Sequence, residues 1–557
     1  MTYQIVPESA PFSVEQRAWL NGFLAGVLGG LDQQPAQDAS AAALAAAVSQ
    51  LSPPLGAGSR SGQESEESFP WHDPSLSIAD RMKLADGMPK ERQLMAAMAQ
   101  LNCGSCGYLC KTYSEAIASG TEKNLKLCSP GGNETAKVLR NLMKESPTQI
   151  AESANAASAN GDAKPMEASH AAPGTRDNPI QAKLIASDKL NGSDSAKDTR
   201  HVAIDLDGSG LSYRVGDALG LWPTNCDELV TKVLETAKLH SSAGVSANVS
   251  ESEMQTVTIV ESLASKCLRT ITPELLKIAI ECVRNRPKHN GAIVHDAELI
   301  ARLEAFRDSD DFFEWDVLEF LEAFPSLPFA AQQFVDALDA QRPRLYSIAS
   351  SQSLFPTQVH LTVGRVGKSV RDRHRKGVAS TMLSDRLQPN SPLRVFIQPS
   401  HGFTIPVDPN APMIMVGPGT GIAPFIAFLQ QRQVDKATGS NWLFFGDQKK
   451  ASDFLYREQL ESWQSTGHLA KLDLAFSRDD ASKVYVQHRM LEKGAELYAW
   501  LESGSYFYVC GDASKMAVDV DNALQEVIAI HGKKSKAEAK QYLVTLANSK
   551  RYVRDVY

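Results

Sequence analysis

A chain of 557 residues exceeds what one hydrophobic core sustains, so two or more domains are expected. The composition, 43% apolar and 22% charged, is that of globular protein, and a net charge of −8 argues against nucleic acid and anionic membrane surfaces as partners. The first twelve residues lack a basic segment followed by an apolar one, and the apolar stretch at 23–28 is too short to span a bilayer. A cytoplasmic protein without membrane contact is therefore expected.

In chain order, Ser13 with Gln16 reads as a capping box. The helix that follows repeats Trp19, Leu20, Phe23, Leu24, Val27 and Leu28 at helical spacing, which predicts a core-facing stripe. Residues 34–67 are rich in Ala, Ser, Gly and Gln and read as a loose connection, and 76–100 return to a helical pattern. Four cysteines then crowd together, Cys103, Cys106, Cys110 and Cys128, while Cys226, Cys267, Cys282 and Cys510 are scattered. In a reducing compartment that crowding points to metal or catalysis rather than disulfides. The stretch 146–175 lacks the large apolar residues that offset ordering entropy, so it reads as a flexible linker.

Short strands with Gly and Asp turns begin at Ile180, as in HVAIDL and ALGLW, and suggest an antiparallel barrel. Residues 226–335 read as a helical insertion, after which LYSIAS, VHLTVGRV and LRVFIQ resume the strands. The basic run Arg371-Asp372-Arg373-His374-Arg375-Lys376 reads as a solvated loop able to face an acidic partner. Beyond Pro412, buried strands alternate with helices, the pattern of a parallel sheet with crossovers. The domain boundaries expected are 1–80, a helical N-terminal region; 81–145, the cysteine module; 146–175, the linker; 176–400, the barrel; and 410–557, the parallel sheet.

The strand MIMVG runs into a turn containing Gly417, Gly419, Thr420 and Gly421, and a helix follows. Such a turn lets backbone approach a phosphate at a helix N-terminus. Farther on, Ser477, Arg478, Lys483, Tyr485 and Gln487 gather donors suited to a phosphate monoester, which favours NADPH over NAD. Cys510 within YFYVCG reads on its own as a buried small hydrophobe. Cys103-x2-Cys106-x3-Cys110-x17-Cys128, with Pro130 after the last, offers four thiolates either for an iron–sulfur cubane or for structural zinc.

The motifs Arg344-Leu345-Tyr346-Ser347, Thr362-Val363-Gly364, Gly377-Val378-Ala379-Ser380, GPGTGIAPF, SR with KVYVQ, YVCGDA and RYVRDVY occur in order and together. Residues from about 176 to 557 thus resemble the flavoprotein alpha component of NADPH-dependent sulfite reductase, within the wider diflavin and ferredoxin–NADP reductase group. The resemblance implies that Tyr346 packs on the FAD isoalloxazine, Arg344 reaches its pyrophosphate and Ser347 lies near the reactive flavin nitrogen. Leu345, Thr362, Val363, Gly364, Gly377, Val378, Ala379, Ser380 and Thr270 would complete the flavin site. Ser477, Arg478, Lys483, Val484, Tyr485, Val486, Gln487 and Asp519 would take NADPH. Cys510, Asp555 and Ser347 would surround the hydride path, and Tyr557, the last residue of the sequence, would cover the face where nicotinamide arrives.

Residues 1–175 do not show the alternating pattern of the FMN-binding flavodoxin domain usual in that family. Their NCGSCGYLC and LCSPGG segments resemble a small four-cysteine 4Fe–4S domain, with the gap between Cys106 and Cys110 one residue shorter than the usual form. The expected fold class is multidomain α+β and α/β: a small helical iron–sulfur module, an antiparallel β-barrel FAD domain with a helical insertion, and a doubly wound parallel-sheet NADP domain. The expected partner is a sirohaem-bearing sulfite reductase hemoprotein (beta) subunit. An assimilatory nitrate or nitrite reductase, or a non-catalytic zinc scaffold, are the alternatives.

Overall fold

The computed structural model describes residues 71, 76–100, 108, 110–122, 124–128, 131–144, 173–250, 253–286, 292–309, 311–325, 327–371, 373–400, 402–513 and 515–557. The expected helix after Ser13, the stretch 34–67, Cys103, Cys106, Asp372 and the linker up to residue 172 lie outside the described residues. No helix among the described residues is long and apolar enough to cross a membrane.

The N-terminal module consists of short helices at Ile78–Leu84, Lys90–Ala96, Cys110–Ala118 and Gly132–Lys144. Ser77 opens the first by accepting a bond from the Asp80 amide at 3.1 Å. Helices this short are marginal alone, so tertiary packing stabilises them. Their inward faces supply Leu94, Met98, Tyr113, Ile117 and Leu139 to one small core, which also buries Cys128 and packs against Cys110.

The central unit carries strands β1 (Ile180–Lys189), β2 (Thr199–Asp205), β3 (Ala218–Trp222), β4 (Gly244–Ser250), β5 (Glu253–Thr258), β6 (Arg344–Ser347), β7 (Gln358–Gly364), β8 (Gly367–Val370), β9 (Arg373–Lys376) and β10 (Pro392–Gln398). Six of them form an antiparallel sheet in the order β6-β3-β10-β1-β2-β7. The expected barrel is not closed by a ladder: its edges β6 and β7 meet through one bridge, between Ile348 and Leu361. The insertion after β3 is also not purely helical, since β4 and β5 pair as a hairpin within it. Its longer helices bury Leu275, Leu276, Phe306, Phe320 and Phe334 in a core of their own. Thr272 caps the helix Pro273–Arg284, accepting from the Leu275 amide at 2.9 Å, with Pro273 at the first position, where no amide hydrogen is needed.

The basic run expected as a solvated loop is instead part of the β8–β9 hairpin, and its arginines are satisfied within the chain. Arg375 forks onto Glu319, with Arg375 Nε donating at 3.0 Å, and Arg373 binds Asp316 and Glu319. Arg371 pairs with Asp311 at 2.9 Å. Docking of an acidic partner on these arginines is thereby replaced by an internal acidic cluster 52 to 60 residues upstream.

The C-terminal unit holds β11 (Met413–Val416), β12 (Asn441–Asp447), β13 (Lys471–Phe476), β14 (Tyr506–Gly511) and β15 (Tyr552–Val556), all parallel, in the order β13-β12-β11-β14-β15. Every residue of β11 is buried, and alternate side chains enter different cores, Ile414 and Val416 on one face, Met413 and Met415 on the other. Burial on both faces is what a helix-covered parallel sheet requires. The chain reverses its winding between β11 and β14, so their C-terminal ends flank the crevice where ligands bind in such sheets.

Glu319→Ala would remove the forked bonds from Arg375, whose side chain is only 6% exposed, leaving it Asp316 at 3.6 Å and the Glu314 carbonyl at 3.1 Å. A loss of about 1.5–3 kcal/mol, that of a hydrogen bond to a charged group, is expected in urea unfolding followed by tryptophan fluorescence. Burial raises the Glu319 pKa, but its bonds to Arg375 and the Asp316 amide outweigh that and depress it. The deficit is therefore full above the ordinary carboxylate range and shrinks as pH falls through the depressed value. A loss below about 1 kcal/mol, that of a surface pair, would contradict the assignment.

Candidate active site

β11 ends in the turn Gly417–Gly421 and passes into the helix Ala423–Val434. Gly419 has φ +58°, and a Cβ on Gly421 would lie 2.1 Å from the Cys510 carbonyl oxygen. Only glycine lets the turn lie against the end of β14 in this way. The turn is closed internally, Gly421 donating its amide to the Pro418 carbonyl at 3.1 Å and Ala423 its amide to the Thr420 carbonyl, while Pro424 at the helix start has no amide hydrogen.

At the same crevice the two sheets meet. Ser347, at the end of β6, donates its hydroxyl to Asp555 Oδ2 at 2.8 Å. Cys510, fully buried on β14, directs its thiol to the same oxygen at 3.9 Å. Asp555 lies opposite Cys510 in the β14–β15 register, which explains why residues 45 apart converge. Burial pushes the Asp555 carboxyl upward, opposed by the bonds from Ser347 and Cys510. Burial, then the Asp555 charge, raises the Cys510 thiol well above its ordinary value, so it stays protonated and unreactive as a nucleophile. Tyr557 continues β15, its phenol 3.0 Å from the Thr420 hydroxyl and 48% of the residue exposed. The ring has that one bond to the glycine turn, while the Tyr557 backbone pairs with Gly511 and Ala513 at 3.1 Å each.

The strand-borne flavin motifs divide by burial. Arg344 is exposed, its guanidinium resting on the Arg342 and Pro343 carbonyls, while Leu345, Tyr346 and Ser347 are half-buried. Gly377 precedes the helical turn Val378–Thr381, whose leading amides lack intrahelical partners. Ser380 is turned inward, accepting from the Val366 amide at 3.1 Å, and Val363 and Ala379 belong to the sheet core. Thr362 is buried with its hydroxyl 2.7 Å from the Tyr456 phenol, and a Cβ on Gly364 would meet the Thr420 methyl at 3.4 Å. Thr270 is half-buried, its hydroxyl 3.4 Å from the Cys267 sulfur.

The expected nucleotide residues gather beyond the C-terminal ends of β12 and β13. Ser477 and Arg478 donate their amides to the Asp447 and Gln448 carbonyls at 2.9 and 2.8 Å, joining the two loops. Arg478, Lys483 and Tyr485 are exposed, and Gln487 donates to Asp519 at 3.1 Å. Val484 and Val486 instead pack into the core beneath the sheet. Sequence reasoning missed Lys197, which reaches from the loop before β2 to pair with Asp447 beside Gly419, and Tyr456, which bonds both Thr362 and His201. Partners about 95 to 255 residues apart leave no local signal.

In the N-terminal module, Cys110 and Cys128 belong to one cluster despite their separation in sequence. A Cβ on Gly131 would come within 3.0 Å of the Cys128 sulfur, so the glycine after it keeps room at the thiol. The two described thiols fit the soft donor set of an iron–sulfur cluster, with Cys103 and Cys106 outside the described residues.

An open antiparallel sheet joined to a doubly wound parallel sheet, with a hydroxyl, a thiol and a carboxyl where they meet, defines a flavin- and pyridine-nucleotide-dependent oxidoreductase. The FAD binding domain family matches residues 172–382, and the oxidoreductase NAD-binding domain family matches 415–522. The sulfite reductase (NADPH) flavoprotein alpha-component of Bacillus subtilis strain 168 is 37% identical over 481 residues, 84% of this chain and 76% of that protein. Those of Mannheimia succiniciproducens and Aliivibrio fischeri are 43% and 42% identical, over 69% and 70% of this chain. The chain belongs to the family of sulfite reductase flavoprotein alpha-components. It matches 62% of the length of the Mannheimia and Aliivibrio proteins.

Ser347→Ala removes the bond that fixes the Asp555 carboxyl. A hydrogen bond to a charged group contributes about 1.5–3 kcal/mol, so flavin reduction is expected to slow by about tenfold or more. Stopped-flow absorbance reads this directly, and an unchanged rate would remove Ser347 from the hydride path.

Proposed function

We propose that the chain oxidises NADPH, takes the hydride onto FAD and passes electrons singly, through a 4Fe–4S cluster of its own, to a separate sirohaem-bearing sulfite reductase hemoprotein in the cytoplasm. The observation that carries this reading is the junction of Ser347, Cys510 and Asp555 at the crevice between the two sheets. Bound FAD would supply the two-electron acceptor and bound cluster the one-electron carrier.

The chain's own residues then have distinct tasks. Tyr346 packs against the isoalloxazine, Arg344 neutralises the FAD pyrophosphate, and the amides after Gly377 donate to it. Thr270, Leu345 and the segment Thr362–Gly364 line the remainder. The turn Gly417–Gly421 receives the NADPH pyrophosphate. Arg478 and Lys483, with Ser477, Tyr485 and Gln487, hold the 2′-phosphate, and Asp519 orients Gln487. Tyr557 occupies the nicotinamide face until the coenzyme displaces it. Ser347, Asp555 and Cys510 then orient the ring for transfer, where near-attack geometry matters more than acid–base strength.

Because haem acceptors take electrons one at a time, the two electrons of the hydride leave the flavin singly, and a one-electron carrier suits that step. Cys103, Cys106, Cys110 and Cys128 are assigned that task as cluster ligands. Protein purified without oxygen is expected to contain FAD and about four irons and four sulfides per chain, without FMN. Cys106→Ser should retain NADPH–ferricyanide activity and lose transfer to the hemoprotein. Zinc in place of iron, bound FMN, or hemoprotein turnover that survives the substitution would each contradict the scheme.

A further inference from the structure

The cysteine module rests on the FAD unit through a compact face. Asn124 Nδ2 donates to Asp339 Oδ2 at 2.6 Å, and Glu122 pairs with Arg342 at 3.5 Å. Lys126 donates to the Phe312 carbonyl at 2.5 Å, with its ammonium 3.9 Å and 4.7 Å from the Phe312 and Phe313 ring centres. Arg140, from the helix Gly132–Lys144, lies 3.8 Å over the Phe313 ring. Cations over aromatic faces and charge-paired amides make a polar interface of the kind that forms and releases.

Two features make this more than packing. The loop Glu122–Leu127 lies between the candidate ligands Cys110 and Cys128, and Tyr113 braces it, accepting from the Leu127 amide and donating to the Asn124 carbonyl. Tyr108, within the cysteine run, donates to Glu122 at 3.3 Å. Glu122 in turn meets Arg342, two residues before β6, the strand that carries the flavin motif. Tyr108, Glu122 and Arg342 thus link the cysteine run to the flavin strand through side chains in contact.

We propose that Glu122, Asn124, Lys126 and Arg140 form the face by which the four-cysteine module docks on its own FAD unit to receive electrons, with Phe312, Phe313, Asp339 and Arg342 as the receiving surface. This rests on the function proposed above. NADPH passes a hydride to oxidised flavin, giving its anionic reduced form. Two successive one-electron transfers to the docked cluster return the flavin to its oxidised form and release that hydrogen as a proton. The cluster passes each electron onward before taking the next.

The test uses the full holoprotein without oxygen and compares wild type with Glu122→Arg, Arg342→Glu, their combination and Asp339→Lys. Hydrogen–deuterium exchange over 122–127 reports docking whether or not a cluster is bound, and stopped-flow absorbance separates flavin reduction from cluster reduction. Each single variant is expected to raise exchange in the loop and slow cluster reduction by about tenfold or more, against a change of about twofold or less in flavin reduction for Asp339→Lys. The combined charge swap is expected to recover most of both signals. Unchanged exchange in all single variants would overturn the interface. Raised exchange with wild-type cluster reduction would overturn its role in electron transfer. Wild-type protein without a cluster would overturn the function proposed above, and the electron-transfer role with it, while exchange still reads the interface.

Discussion

A single bond, Ser347 to Asp555 at 2.8 Å, ties the edge of the antiparallel sheet to the last strand of the parallel sheet. It sets the two sheets against each other at the crevice. One brings the strand Arg344–Ser347, the other the glycine turn Gly417–Gly421. Further bonds keep that registration. Asn191 donates to Asp453 at 2.9 Å, Ser351 to Gln430 and Gln431, and Tyr508 to the Thr404 carbonyl. Tyr456 bonds Thr362 and His201, and His360 beside them is lowered to about 4 by burial and by the neighbouring His201, so it carries no charge near neutral pH.

The parallel sheet was legible because a strand buried on both faces writes an unbroken apolar run, as in MIMV and NWLFF, and glycines mark the close approach after β11. The motif order likewise led to Ser347, Cys510 and Asp555; the β14–β15 register sets Cys510 opposite Asp555, and Ser347 reaches the same carboxylate from β6. What failed to show was long-range pairing. Arg371, Arg373 and Arg375 read as solvated because their carboxylates stand on helical segments 52 to 60 residues upstream. The β4–β5 hairpin escaped notice although Val245, Ala247 and Val249 alternate with Ser246, Asn248 and Ser250, because its apolar residues are small and it lies between helical stretches. The barrel stayed open because β6 has only four residues and meets β7 at one bridge.

The N-terminal module has short helices and a small core that buries Cys128 and packs against Cys110. Such a module has little apolar area of its own to hold it together. The FAD unit gives the module a second support, since Asp339, Arg342 and Phe312 contact it directly. These contacts hold the module beside the strand that carries Arg344–Ser347.

The central claim is that hydride crosses at the Ser347–Asp555 junction and only then divides into single electrons. Rapid mixing of the oxidised holoprotein with NADPH deuterated at the transferred position tests it most directly. The account predicts a primary isotope effect on flavin bleaching, with cluster reduction following as a later phase. Cluster reduction that precedes the flavin phase, or flavin bleaching with no isotope effect in both wild type and Ser347→Ala, would contradict it.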